Sequence, residues 1–317
     1  MKSMLEVQNL TKHFHVGKGR VVHACDDVSF TLVKGATLGL VGESGCGKST
    51  VARTAIRLYE PTSGRIILDG TDITNMDQKT LKPLRKKIQM VFQDPYASLN
   101  ARMTVRDIIA EPLRAHKVTS SKSETDDLVN ELLKQVGLGS EHARRYAHEF
   151  SGGQRQRIGI ARALILQPEI IICDEPISAL DVSIQAQVVN LLREFQLEKR
   201  LTYLFIAHDL SMIRYVSDQV GVMYLGRLVE LASVDQIYKE PLHPYTKGLL
   251  SSIPIPNPTE ARKRVKSEIS GDLPSPIAPP PGCRFHTRCP YKMPICEEVL
   301  PPEKDQGDGH MVACHLY

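Results

Sequence analysis

The sequence predicts an α/β fold with a buried parallel sheet, a helical insert and a small C-terminal extension, and three observations carry that prediction. Short apolar runs at 170–173, 202–207 and 220–224 have the length and composition of strands covered on both faces. A glycine-rich loop at 42–49 follows one strand-like segment directly and precedes a segment with helical spacing. Between 93 and 151 the periodicity turns helical and strand signals become sparse.

In chain order, short strands are expected at 5–10, 28–32 and 37–41, separated by polar or glycine-containing turns. A helix is expected over 49–59, then strands at 65–68 and 87–92. The insert should hold helices at 105–116, 125–136 and 143–148, and the resumed sheet should enclose a helix over 184–199. After Pro241 the composition shifts to Pro, Ser and Lys, with Pro254, Pro256, Pro258, Pro274, Pro276 and the run 279–281, which reads as a linker.

A chain of 317 residues accommodates one large domain with a full core plus an appendage. Its 42% hydrophobic and 24% charged residues exclude a disordered or membrane-resident class. The net charge of +4 is small, and the basic runs 82–87 and 262–266 read as solvated faces or linker, so no nucleic-acid partner is expected. The first ten residues lack a signal-peptide core, and no apolar stretch approaches the roughly 20 residues of a spanning helix. The chain is therefore expected to be cytoplasmic, associated with a membrane only through a partner. Seven cysteines in such a chain point to buried thiols or metal ligation rather than disulfides.

The segment Gly42, Glu43, Ser44, Gly45, Cys46, Gly47, Lys48, Ser49, Thr50 matches the phosphate-loop pattern in its confirming context, between strand and helix. Glycines let the backbone curl so that N–H groups face phosphate oxygens, with the helix N-terminus behind them. Lys48 suits the β- and γ-phosphates of ATP, and Ser49 suits a magnesium ion. Asp174 and Glu175 end the apolar run 170–173, where a phosphate and its metal lie in such sheets. Asp174 is suited to magnesium, and Glu175 to accepting a proton from the attacking water.

Phe150, Ser151, Gly152, Gly153 and Gln154 resemble the signature motif of ATP-binding cassette (ABC) proteins, with Phe150 where Leu is commonest. They open an expected helix over 154–166, whose N-terminus can face an anion. The resemblance implies an ABC-type ATPase core of the P-loop NTPase class, spanning 1–240, with its helical insert at about 94–160 and an extension at 241–317. It implies further that the signature completes the ATP site of a second cassette, so that two cassettes close around two nucleotides. On the same grounds Gln93 is similar to the Q-loop glutamine that senses magnesium and the attacking water. Ser178 to Asp181 resembles the D-loop that contacts the partner cassette, and His208 the switch histidine that contacts the γ-phosphate. Alone, His208 reads as an ordinary surface or core residue. Phe14 reads equally as an adenine-stacking aromatic or as core.

The stretches 93–100, 178–187, 223–226, 243–246 and 280–286 are similar to the ATPases of dipeptide and oligopeptide importers, and among them to the F-type subunit. That resemblance implies import of dipeptides, oligopeptides or nickel. The implied partners are a D-type ATPase, or a second copy of the chain in isolation, two membrane permeases and an extracytoplasmic binding protein. The permease contact is expected at 96–103. Two rivals are a soluble ABC ATPase, which usually carries two cassettes or a long coiled-coil insert, and an iron-sulfur regulator that only reports ATP, against which Glu175 and His208 weigh.

Cys283, Cys289, Cys296 and Cys314 are separated by five, six and seventeen residues, unlike the short knuckles of structural zinc. The Cys289–Pro290 step suits a 4Fe-4S cluster, which the family resemblance also implies, while zinc and four free thiols stay open. Such a centre would supply folding energy to a tail poor in apolar residues.

Overall fold

A computed structural model describes residues 2–17, 19–178, 180–253, 269 and 271–317. The expected linker prolines Pro254, Pro256 and Pro258, the basic run 262–266 and Ala179 of the expected D-loop lie outside the described residues.

Strands β1 (Ser3–Val16) and β2 (Arg20–Val33) run well past the expected 5–10 and 28–32. They continue through polar positions, with Asn9 and Asp27 in left-handed backbone at φ +49 and +56 and a register shift of β1 against the strand Ser63–Leu68 between Gln8 and Thr11. The Asn9 amide donates to Asp27 Oδ1 at 2.7 Å, joining the two left-handed positions side chain to side chain. Strand β3 (Thr37–Val41) is wholly buried, and helix α1 (Lys48–Ala55) stops short of the expected 59, with Arg57 at φ +56 just beyond it. Then come β4 (Ser63–Leu68), β5 (Thr71–Asp72), α2 (Gln78–Leu84) and β6 (Ile88–Val91).

In the insert, α3 (Val105–Ala115) and α4 (Lys122–Gln135) start where Thr104 and Ser121 accept bonds from the Asp107 and Glu124 N–H groups. The helix expected at 143–148 is replaced by two 3-10 turns, Ser140–Arg144 and Ala147–Glu149. The backbone there is engaged elsewhere: Val105 N donates to Arg145 O, and Tyr146 bridges Thr104. Next follow α5 (Gly152–Leu164), β7 (Ile170–Asp174), α6 (Val182–Lys199) and β8 (Thr202–Ile206). The chain ends with α7 (Leu210–Val216), β9 (Gln219–Tyr224), β10 (Arg227–Ser233), α8 (Val234–Lys239), α9 (Pro244–Ser251), α10 (Ile295–Glu298), β11 (Glu303–Asp305) and β12 (Met311–Ala313).

The chain divides into two units. One comprises Met1–Met4, Val33–Ala36 and Asn75–Ile206. In it β6, β7 and β8 form parallel ladders, Ile172 lying opposite Met90 and Leu204, and every residue of β7 and β8 is buried. Helices α3, α4 and α5 pack together through Ile108, Ile109, Leu113, Val129, Leu133 and Ile158.

The other unit comprises Leu5–Leu32, Thr37–Thr74 and Ala207–Tyr317. It holds a sheet in the order β2-β1-β4-β5, and a strand series β11-β12-β10-β9-β3 in which β3 and β9 are parallel and the remainder antiparallel. The C-terminal extension thus enters the fold by strand addition, Val312 of β12 lying opposite Glu230 of β10. Phe285 anchors it, buried among Tyr224, Tyr245 and His243 with ring centroids 5.2, 5.4 and 5.6 Å away.

Candidate functional site

The phosphate-loop segment connects β3 to α1, and its backbone admits only glycine at two places. Gly42 lies at φ +151 with Met223 O 2.2 Å from where a Cβ would stand, and Gly47 lies at φ +106 with Ala24 O 2.0 Å away. Lys48 is buried at 4% exposure, and its Nζ donates to Gly42 O at 2.8 Å and Glu43 O at 3.0 Å. Cys46 is buried beneath the loop, and burial pushes its thiol up despite the Lys48 charge. Ser44 and Gly45 are exposed, while Ser49 and Thr50 are half-buried. Glycine-shaped backbone, a buried amine held by carbonyls and a helix N-terminus without a capping side chain among the described residues fit a bound polyphosphate. In the same unit His208 is exposed just after β8, and Phe14 is half-buried near the end of β1. The Phe14 ring packs edge-on against Tyr59 at 5.4 Å, with Lys12 Nζ 4.9 Å from its centroid.

The other unit brings Gln93, Asp174 and Glu175 together. Asp174 is fully buried at the end of β7. Glu175 follows it at φ +45, a left-handed conformation unusual for this residue type, with its N–H tied to Ile206 O at 3.1 Å. Gln93, just past β6, donates from Nε2 to Glu175 Oε2 at 2.7 Å. One carboxylate is thereby oriented by an amide, and the other is held in an apolar strand, which is a donor set that suits a magnesium ion and a polarised water. Signature residues Ser151 and Gln154 close a capping box on α5: Ser151 Oγ accepts from Gln154 N at 3.4 Å, and Gln154 Oε1 accepts from Ser151 N at 3.1 Å. Gly153 leaves no room for a side chain, because a Cβ would stand 2.4 Å from Ile184, and Gly152 faces Leu180 and the Tyr96 hydroxyl. Asp181 is the N-cap residue of α6, exposed beside Val182, which is 81% exposed.

The four late cysteines do not form the expected 4Fe-4S centre. Among the described residues, the group of metal-ligating side chains whose ligand atoms converge within 4.8 Å is His13, His23 and Asp26, and it contains no cysteine. Cys283, Cys289, Cys296 and Cys314 are free thiols. Burial pushes the Cys283 thiol up to about 11 and raises those of Cys289 and Cys314. The extension is tied to the fold by the pairing of β12 with β10 and by the burial of Phe285. Among the described residues no helix is long and apolar enough to cross a membrane, so these residues do not themselves bear out a membrane association, which was expected only through a partner. Helix α6, 18 residues long, carries Arg193, Glu194, Glu198 and Lys199.

Sequence reasoning missed a second layer around the loop. Asp26 is bonded by His13, His23 and Arg284, and although burial opposes it, the His13 and Arg284 bonds hold its carboxyl at about 2. Arg288 reaches Glu43 Oε2 at 2.9 Å, and the Tyr245 hydroxyl accepts from Glu43 N at 2.9 Å. These partners lie up to 245 and 258 positions apart, and a single sequence holds no signal for pairing at that range.

Comparison with known proteins agrees with this geometry. Residues 25–178 match the family model described as ABC transporter, and residues 229–296 match that of the oligopeptide/dipeptide transporter C-terminal region. The chain is 56% identical to the oligopeptide transport ATP-binding protein AppF of Bacillus subtilis, covering 100% of this chain and 98% of that one. It is 51% identical to the oligopeptide transport ATP-binding protein OppF of Salmonella typhimurium, covering 99% and 96%. Among solved structures it is similar to the dimeric ATP-binding cassette MJ0796 in a post-hydrolysis state bound to ADP and Pi, with TM-score 0.67 and 28% identity over 73% of this chain and 99% of that one. A phosphate loop, a paired Gln93 and Glu175, a signature helix and full-length identity above one half place one conclusion beyond doubt: this chain belongs to the ABC transporter ATP-binding proteins, as a relative of the oligopeptide transport ATPases.

Proposed function

We propose that this ABC-type ATPase powers uptake of dipeptides or oligopeptides through partner permeases, with its chemistry centred on Gln93, Asp174 and Glu175. The observation that carries the hydrolytic reading is the Gln93 to Glu175 hydrogen bond beside the buried Asp174. Lys48 and the N–H groups from Gly42 to Thr50, including those of Ser44, Gly45, Cys46 and Gly47, bind the phosphates. As the family resemblance implies, Ser49 on the phosphate loop and Gln93 with Asp174 on the other unit are the residues that would ligate magnesium, which would supply charge neutralisation at the phosphates. Glu175 takes the proton of the attacking water, His208 contacts the γ-phosphate, and Phe14 stacks on adenine. Ser151, Gly152, Gly153 and Gln154 serve the nucleotide of a partner cassette, and Asp181 touches that partner.

The peptide cargo is supported by the names of the relatives and by the match of 229–296 to the oligopeptide/dipeptide C-terminal model. The proposed assembly pairs this chain with a second ATPase, two permeases and an extracytoplasmic peptide-binding protein. The chain divides into a nucleotide-binding domain at 1–240, with its helical insert at about 94–160, and an extension at 241–317. Residues 96–103 meet the permease, and the 57% exposure of Tyr96 supports that surface.

Glu175→Gln is expected to retain ATP binding and lose hydrolysis by about 100-fold or more. Wild-type turnover in that variant would remove Glu175 as the base. Cells lacking the gene should fail to take up labelled di- or oligopeptides, and intact peptide uptake beside lost nickel uptake would move the cargo to nickel.

A further inference from the structure

Glu43 occupies a position that the phosphate-loop pattern leaves open, yet each of its polar groups has a partner. Its N–H donates to the Tyr245 hydroxyl at 2.9 Å, its carbonyl accepts from Lys48 Nζ at 3.0 Å, and its carboxylate accepts from Arg288 Nη1 at 2.9 Å. Tyr245, on α9, is fully buried, and burial raises its phenol so that it stays neutral. Arg288 ends the 3-10 turn His286–Arg288 of the C-terminal extension. Its side chain is 9% exposed and lies 5.8 Å from the Tyr224 ring centroid, and its Nε lacks a partner among the described residues. A buried guanidinium with an N–H unmade is poorly arranged for stability, and its one strong charge-assisted contact is with Glu43. A bare carboxylate in a loop that receives phosphates would repel them at low local dielectric, and Arg288 cancels that charge.

We propose that Arg288 and Tyr245 are positioning residues for the phosphate loop: by holding Glu43 they set the carbonyl that orients the Lys48 amine and neutralise the carboxylate beside it. ATP affinity then depends on the C-terminal extension. This rests on the assignment of Gly42 to Thr50 as the ATP phosphate loop.

The test uses the full chain with magnesium and ATP, measuring Kd by equilibrium titration, KM and kcat by steady-state hydrolysis, and folding by thermal melting. Arg288→Ala is expected to raise Kd and KM about tenfold with kcat within about twofold, and Arg288→Lys to recover part of the loss. Glu43→Gln placed in the Arg288→Ala background should bring Kd back to within about threefold of wild type, because the repelling charge is gone. Unchanged Kd in Arg288→Ala overturns the proposal, and so does a double variant as weak as the single one, which would mark a purely structural role. Should Arg288→Ala melt below the assay temperature, Tyr245→Phe keeps the ring and removes only the acceptor. It is expected to raise Kd about threefold, and an unchanged Kd there overturns the proposal. Wild-type chain that binds no ATP would instead sink the phosphate-loop assignment itself.

Discussion

Helices α1 and α5 both begin on glycine-bearing motifs, and their N-termini are finished in opposite ways. At α1 the N-cap is Gly47 at φ +106, with no capping side chain and no acidic residue in the first turn, and the next residue folds its amine back onto the loop carbonyls. At α5 the N-cap Ser151 and Gln154 satisfy each other's backbone N–H groups within the chain. An uncapped N-terminus keeps its partial positive charge available for an anion, whereas a closed capping box stabilises the helix by itself. The two motifs look alike in composition, yet α1 is arranged for a ligand and α5 is already complete until its serine exchanges partners. Helix α9 shows a third solution, in which the cap is the neutral imidazole of His243, its Nδ1 accepting from Tyr245 N at 3.1 Å.

The largest expected effect is at Gly47. Gly47→Ala forces a left-handed non-glycine residue, costing roughly 1–3 kcal/mol, and drives a Cβ to 2.0 Å from Ala24 O. ATP binding measured by calorimetry should fall below detection while α5 is untouched, and wild-type affinity would mean that α1 does not receive the anion. Ser151→Ala comes next: loss of the cap should cost about 1 kcal/mol in denaturant unfolding, with ATP affinity of the chain alone within about twofold of wild type. A matching loss of ATP affinity in both variants would erase the contrast between the helices.

The third effect concerns α9 and appears only with pH. Burial, reinforced by Lys247, lowers His243 to about 3, whereas in the unfolded chain it titrates near 6.5. Between those values the unfolded state binds a proton that the folded state does not, so stability falls as pH drops from about 6.5 toward about 3. His243→Asn keeps a capping acceptor and removes the titration. Urea midpoints at pH 7 and pH 5 should therefore differ less in the variant than in wild type, and an equal difference would show that His243 is not the titrating cap.

The legible parts of this protein are those whose chemistry is contiguous. Gly42, Gly47 and Lys48 could be assigned because a tight phosphate loop demands glycine and lysine at fixed spacing, and the buried runs of β7 and β8 because both faces are covered. The turns at 140–149 were misjudged because Thr104 and Arg145, rather than local periodicity, decide where that backbone bonds. Strands β11 and β12 were invisible, being three residues each and existing only by pairing with β10 or each other. The cysteine cluster was misjudged because spacing along the chain says nothing of where sulfurs point, and the four cysteines are free.

By itself the sequence determined the order of phosphate-handling motifs, since each is a short-range arrangement set by backbone conformation and the side chains of neighbouring residues. Only the tertiary structure decided that Glu175 is oriented by Gln93, 82 positions away, and that Glu43 is clasped by Tyr245 and Arg288 from the C-terminal region. Those bonds depend on which distant strands and helices pack together, and burial of Tyr224, Tyr245 and Phe285 against one another fixes that packing for the extension.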